Sequence, residues 1–470
     1  MKLIKKFISY SIGGWLGALV GIITIPLVTR YFTPEEFGKA SMFTLALTVM
    51  MFFVSFGIDQ AFIRFFYEEN IIKLLKKCLI LTSFSYTCGV IIINVFKLQI
   101  SNYLFGSYDP DIITFLAFAA LLYVLNNYAI AILRMKQLSW QYSVAQLSLR
   151  VFELIFILLF LYKLGTKYST IVYARIAAIF LVTIIALILS RRSILETKNA
   201  KAANDISKID LLKFSYPFAL TSILTWMLQS VDKMAIRQWS TYKELGIYMA
   251  AFRIVAIMDI IGSSFSVYWT PLALERYINK TYDENRLFYK TANAAVSVMM
   301  IIVTVVLIMS KDIIVFLLGK SYRDAAQIIP LLVFMPLMYI TSETTVIGIN
   351  FLKKVKWHIV ISMSVLVVSI IGNLILVPRI GSRGAAIAIA LSYICYFSLR
   401  TLLSLKYYKI DYYLKKFYFV VFVLFAYAVY SSFFAWSYLN VICGLAIILL
   451  TLQLYANIIK ESIKLLTGKG

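Results

Sequence analysis

Apolar runs of about twenty residues recur along this chain, and they decide what it can become. A helix needs about 20 apolar residues to cross a hydrocarbon core about 30 Å thick. Fourteen stretches of that length, or nearly so, lie near residues 7–28, 40–62, 76–96, 111–133, 141–162, 168–190, 213–236, 247–272, 288–310, 326–351, 357–378, 384–405, 413–432 and 435–458. Only 14% of the 470 residues are charged and 61% are hydrophobic, whereas soluble domains are about 25% charged. Such a chain cannot cover itself with a polar surface, so the bilayer is its solvent. The predicted class is an all-α polytopic membrane protein with about 14 transmembrane helices. The first run follows Lys2, Lys5 and Lys6, like a signal peptide. It is too long for an h-region and no small-residue cleavage site follows, so it reads as an uncleaved span.

The formal charge of +24 would suggest nucleic acid on a soluble protein. Here its distribution points elsewhere. With span-end charges counted in the adjoining segments, 30 Lys and Arg fall on the side of the N-terminus, 13 on the other side and 3 within spans. That bias predicts both termini in the cytoplasm, with basic loops that can touch anionic lipid heads. Cys78, Cys88, Cys395 and Cys443 lie in or beside apolar helices without metal spacing and read as buried small hydrophobes. The single histidine, His358, sits at a span edge beside Trp357 and reads as interfacial.

The chain repeats. Arg30-Tyr31-Phe32-Thr33-Pro34-Glu35-Glu36-Phe37-Gly38 joins the first two spans, and Leu245-Gly246-Ile247-Tyr248 recurs at the matching place, with Gly38 and Gly246 separated by 208 positions. Thr33 reads as a helix N-cap, with Pro34 at the first helical position and acids in the first turn. The predicted organisation is a six-helix lobe at 1–190, a cytoplasmic linker at 191–212, a second six-helix lobe at 213–410, and two further helices with a tail at 411–470. An even number of spans per lobe makes the repeats parallel. The first helix carries Gly13, Gly17 and Gly21, a smooth face suited to close helix packing. Their counterparts in the second copy are Thr221, Thr225 and Gln229, followed by Asp232 opposite Thr24, which form a polar stripe.

Ionisable residues within spans are costly, at about 2.5–3.5 kcal/mol each on insertion scales, and mark functional candidates or ion pairs. Arg150 and Glu153 are three apart and share a helix face. Arg175 lies about two turns into the sixth span. Arg253 and Asp259 point about 120° apart, so neither directly neutralises the other. Glu343 follows Pro330 and Pro336 in the tenth span, and Asp59 and Arg64 lie at the inner end of the second. In the outer loop Asp109-Pro110-Asp111, Asp111 reads as a helix cap rather than half of a catalytic pair.

The Arg30–Gly38 run, Asp232-Lys233-Met234-Ala235-Ile236, Leu245-Gly246-Ile247-Tyr248 with Ala251 and Arg253, and the Asn373, Pro378, Gly381, Gly384-Ala385-Ala386 turn together resemble bacterial polysaccharide transporters. The likeness is to the O-antigen flippase type of the multidrug/oligosaccharidyl-lipid/polysaccharide exporter superfamily. It extends over essentially the whole chain and rests on the order and spacing of the motifs. The resemblance implies two six-helix lobes around a cavity, often with two extra C-terminal helices. It implies a plasma-membrane protein, not an enzyme, that moves an undecaprenyl-diphosphate-linked oligosaccharide to the outer leaflet by alternating access. It also implies work beside a polymerase and chain-length regulator or a ligase. In related lipid II flippases, arginines on the first, second and eighth helices meet the anionic head group; the matching helices here offer Arg30, Arg64 and Arg253.

Arginine suits such a cargo because its guanidinium stays charged and binds diphosphate bidentately. Arg253 is the first candidate, followed by Arg150 and Arg175, with Thr225 and Gln229 as polar lining. Asp259, Glu343, Asp232 and Asp59 are candidates for coupling to an H+ or Na+ gradient, or for balancing arginines. No cofactor is expected, and no nucleotide-binding loop occurs. Two other readings stand beside this one: a drug or cation antiporter, which wants an acidic cavity, and a membrane glycan polymerase or glycosyltransferase, which wants a large catalytic outer loop.

Overall fold

The computed structural model of the chain describes the backbone of residues 2–196, 205–279, 281–352, 354, 356–434 and 437–467. The side chains of 2–12, 192–196, 259, 263, 267, 279 and 457–467 lie outside the description. The described residues are helical between short turns. In chain order the helices are α1 (Lys2–Tyr31), α2 (Pro34–Ser55), α3 (Ile58–Phe65), α4 (Ile71–Val95), α5 (Lys97–Phe105), α6 (Pro110–Met135), α7 (Ser139–Leu164), α8 (Tyr168–Glu196), α9 (Lys208–Trp239), α10 (Tyr242–Val255), α11 (Ile257–Asn279), α12 (Tyr282–Met309), α13 (Lys311–Phe316), α14 (Ile329–Leu332), α15 (Phe334–Thr345), α16 (Ile347–Phe351), α17 (Lys356–Tyr407), α18 (Leu414–Phe433) and α19 (Tyr438–Thr467). A 3-10 helix, Lys320–Gln327, precedes α14.

Twelve of these helices are long and apolar enough to cross a membrane, or thirteen if the bent pair Lys320–Gln327 and Ile329–Thr345 forms one span. The fourteen apolar runs reconcile with this number at α17. That helix has 52 residues, about 78 Å at 1.5 Å per residue, far longer than one crossing. Its backbone leaves helical geometry at Ile380 and Gly381 (φ +56°), so two helices meet there at a kink. Large apolar side chains such as Phe84, Tyr162, Phe422 and Leu449 are exposed, as expected of faces that meet lipid.

Contacts divide the chain into two compact units, Met1–Met227 and Leu228–Gly470. The division falls inside α9, past the 191–212 stretch that reads as a linker, because α9 continues unbroken through the boundary. In the first unit α7 packs on α1 and α8, and α6 packs on α8 and α2. Among the glycines of α1, Gly13 serves the tightest approach: a Cβ there would meet the backbone oxygen of Ser143 at 2.6 Å. The glycine face of α1 is thus, at this level, a seat for α7. In the second unit α15 packs on α17, α12 on α19, and α14 on α18.

The caps follow the sequence logic with one exception. Thr33 Oγ1 accepts from the Glu36 N–H, and Thr241 Oγ1 does the same for Glu244. The cap of α6 is Asp109 rather than Asp111: Asp109 Oδ1 accepts from Ile112 N–H (3.3 Å), and Asp111 lies in the first turn. Pro110 occupies the first helical position, so the residue before it is the one left outside the helix to cap it. At the other end of the first unit, Lys77 Nζ donates to Glu69 Oε1 (2.5 Å), Asp205 Oδ1 (2.6 Å) and Ile206 O (2.7 Å). This contact ties the start of α9 to α4. The hydrogen bond from Lys77 holds the Asp205 carboxyl below the usual carboxylate range.

Candidate functional site

A charged cluster lies within the spans of the first unit. Arg150 and Glu153 come from α7, about halfway along it, and Arg175 from α8. Arg150 Nη1 stands 3.7 Å from Glu153 Oε2, and Arg175 Nη1 stands 4.0 Å from Glu153 Oε1. Arg175 is further held by Tyr123 on α6, which accepts from Nε at 3.2 Å, and by Thr44 on α2, which accepts from Nη1 at 3.0 Å. Three helices besides its own therefore fix one guanidinium. Arg150 differs: its side chain is 55% exposed within the unit, against 21% for Arg175. Its stem lies beside Gly17, where a Cβ would meet Arg150 Cγ at 3.3 Å. Two guanidiniums share one carboxylate, so the cluster keeps a net positive charge in a medium where that is costly. It can accept an anion at Arg150 while Arg175 and Glu153 hold the frame.

The second unit holds two of its carboxylates in close ion pairs. Asp232 is 1% exposed, and Lys233 Nζ donates to both of its carboxylate oxygens at 3.1 Å. Tyr248 donates to Asp232 Oδ2, and the Phe252 ring lies 4.3 Å from the ammonium. Glu343 Oε1 accepts from Arg400 Nη1 (2.7 Å), which also donates to Ser342 Oγ (2.7 Å). The Arg400 guanidinium lies 5.4 Å from the Tyr396 ring and 5.9 Å from that of Tyr339. Asp232 and Glu343 thus stand in tight ion pairs. Lys233 and Arg400 are not among the residues the sequence singles out. Lys233 is hidden by its acidic neighbour within a motif, and Arg400 falls at the end of an apolar run, where it reads as a boundary charge.

The remaining candidates do not join one site. Arg30 is exposed in the last turn of α1. Arg64 forms an exposed i,i+4 pair with Glu68. Asp59 accepts hydrogen bonds from Ser55 and Gln60 in the first turn of α3. Arg253 lies in the last turn of α10, within electrostatic reach of the Tyr322 hydroxyl. Thr225 and Gln229 are exposed on α9, while Asp232 on the same helix is buried, so the polar stripe divides into two environments. The Asp259 side chain lies outside the described residues. His358 Nε2 pairs with Asn350 Oδ1 at 2.8 Å. Among the described residues no three His, Cys, Asp or Glu side chains could hold a metal.

Residues 3–268 match the polysaccharide biosynthesis protein family. The chain is 21% identical over 329 residues to Lsg locus putative protein 1 of Haemophilus influenzae, an alignment covering 68% of this chain and 78% of that one. Among solved structures it is similar to lipid II flippase MurJ in an inward closed conformation, with a TM-score of 0.69 at 17% identity over 96% of this chain and 99% of that one. It is also similar to an inward-facing multidrug resistance MATE family transporter of the MOP superfamily, with a TM-score of 0.60 at 14% identity over 83% of this chain and 93% of that one. These two are a flippase and a transporter, not enzymes, and at such identities the likeness concerns the fold. Matched over more than half its length, this multi-pass membrane chain belongs to the polysaccharide biosynthesis protein family and has the fold of the MurJ flippase and MATE transporter structures.

Proposed function

We propose that the chain is a flippase that moves an undecaprenyl-diphosphate-linked oligosaccharide repeat unit from the cytoplasmic to the outer leaflet of the plasma membrane by alternating access. The product would feed O-antigen, capsule or exopolysaccharide synthesis, beside a polymerase and a chain-length regulator. The carrying observation is the Arg150–Glu153–Arg175 cluster within the spans, with two guanidiniums to one carboxylate and Arg150 open to a ligand. A diphosphate can take the place of Glu153 at Arg150 through charge-assisted bidentate hydrogen bonds. The phosphoryl charges offset the cluster's net positive charge, and Glu153 keeps its place beside Arg175. Arg253 and Arg30 remain secondary contacts in this reading.

The carboxylates argue against a cation antiporter. Glu153, Asp232 and Glu343 each have a cationic neighbour within 4.0 Å. Net uphill movement draws on an H+ or Na+ gradient in this scheme; transport indifferent to both gradients in proteoliposomes would remove that part. The deciding experiment is rescue of a deletion strain. Cells lacking the chain accumulate lipid-linked repeat units in the inner leaflet, and the wild-type chain clears them. If the accumulated units are already on the outer side, the missing step is polymerisation and the flippase reading fails.

A further inference from the structure

The two units use one device at corresponding places. Glu36 and Glu244, 208 positions apart, each turn a carboxylate to a backbone N–H at the start of a later helix. Tyr168 N–H donates to Glu36 Oε2 at 2.5 Å, opening α8. Ser382 N–H donates to Glu244 Oε2 at 2.7 Å, just past the kink in α17. A Cβ at Gly381 would collide with that carboxylate, and the positive φ there also favours glycine.

The residue at the helix start then decides what surrounds it. In the first unit it is Tyr168, whose ring stacks on Phe105 at 5.0 Å and whose hydroxyl donates to Asp109 Oδ2 at 2.7 Å. In the second unit it is Ser382, and a cavity of about 380 Å³ remains beside it. The scaffold can close this place with a tyrosine, so the opening in the second unit is not a requirement of the fold. Its volume falls within the ~300–1,000 Å³ typical of ligand sites.

The lining has both signs of charge. Arg379, Arg383, Asp324, Gln327 and Glu244 face the cavity, with the Phe433 ring at its edge. Gln327 accepts from Arg383 Nη2, and the Phe433 ring lies 5.3 Å from the same guanidinium, so Arg383 is fixed in place. Arg379 and Asp324 are exposed and available. An anion would be opposed by Asp324 and Glu244, and an apolar ligand would strand Arg379 and Asp324. Vicinal hydroxyls, which donate and accept at once, satisfy guanidinium and carboxylate together. We propose that this cavity is a saccharide site that takes a neutral or zwitterionic polyhydroxylated sugar segment. The flippase reading supplies the source of that sugar, the glycan end of the cargo; binding itself does not depend on it.

The test titrates the purified full chain in micelles with free oligosaccharides released by mild acid from the surface polysaccharide of the cells that make it. Inorganic pyrophosphate serves as a second probe. The wild type binds the saccharide without competition from pyrophosphate. Arg379→Ala and Asp324→Ala each weaken saccharide binding at least tenfold and leave pyrophosphate binding unchanged. Ser382→Tyr, which copies the plug of the first unit, abolishes saccharide binding; should that variant misfold, the exposed Arg379 and Asp324 carry the test. The proposal is overturned if the wild type binds no saccharide, if both alanine variants bind it like wild type, or if Arg379→Ala weakens pyrophosphate instead. Saccharide binding by the wild type together with repeat units that accumulate on the outer side of the deletion strain overturns the flippase reading alone.

Discussion

Glu153→Gln separates a cargo site from a structural ion pair, because the two roles predict opposite changes. Glu153 stands 3.7 Å from Arg150 and 4.0 Å from Arg175. One pair at about 4 Å is worth about 4 kcal/mol at an effective dielectric of about 20. Much of the Arg150 share is lost to screening, since that side chain is more than half exposed. Arg175 keeps its hydrogen bonds to Tyr123 and Thr44, and glutamine can still accept one. The net destabilisation should be about 1–2 kcal/mol, below the ~3–5 kcal/mol of a stranded buried charge. Anion binding should move the other way. A diphosphate no longer displaces a carboxylate, so pyrophosphate affinity should rise about tenfold, equivalent to about 1.4 kcal/mol. Transport should slow, because release no longer has an internal anion to drive it. Calorimetric titration with pyrophosphate and thermal unfolding of the same sample read both effects. Lower stability with unchanged or weaker pyrophosphate binding would refute the reasoning and leave a structural pair.

Three other outcomes follow from the same structure. Arg400→Met or Glu343→Met alone should cost about 3–5 kcal/mol in unfolding experiments, and the double substitution should recover most of it; additive losses would show that the pair itself stabilises the fold. Gly17→Val should push the Arg150 stem aside and lower transport, whereas Gly21→Ala, where a Cβ meets nothing within 4 Å, should not; equal effects would detach Arg150 from the α1 surface. The Asp205 carboxyl is held low by Lys77, so its stabilising contribution is present above the ordinary carboxylate pKa of about 3.9 and disappears as pH falls through the lowered value. Amide exchange at the start of α9 should accelerate across that acid range, and Lys77→Ala should remove the pH dependence.

The helices were legible because bilayer length, apolar runs and cap chemistry agree at most ends, as at Thr33 and Pro34. The one cap displaced, Asp109 for Asp111, turned on which side of Pro110 the helix begins. Partners were harder to see. The Arg150–Glu153 pair lies three apart on one helix and could be read, but Arg175 reaches it from another helix, and its hydrogen bonds to Tyr123 and Thr44 have no local signature. Arg400 meets Glu343 across 57 positions, a distance along the chain that no periodicity encodes. The 208-residue offset did reach the atomic level: it predicted an equivalence that became Thr33 with Thr241 and Glu36 with Glu244. It could not predict that Tyr168 fills a space that Ser382 leaves open, since that contrast depends on which helix start each glutamate meets.

In the proposed mechanism the Arg150–Arg175 cluster carries an anionic lipid head across the membrane. Its most direct test is flipping of a prenyl-diphosphate-linked saccharide in proteoliposomes containing equal amounts of wild-type chain or the Arg150→Ala/Arg175→Ala double variant. Translocation is expected from the wild type, and only the protein-free background from the double variant. Wild-type flipping by the double variant would contradict it.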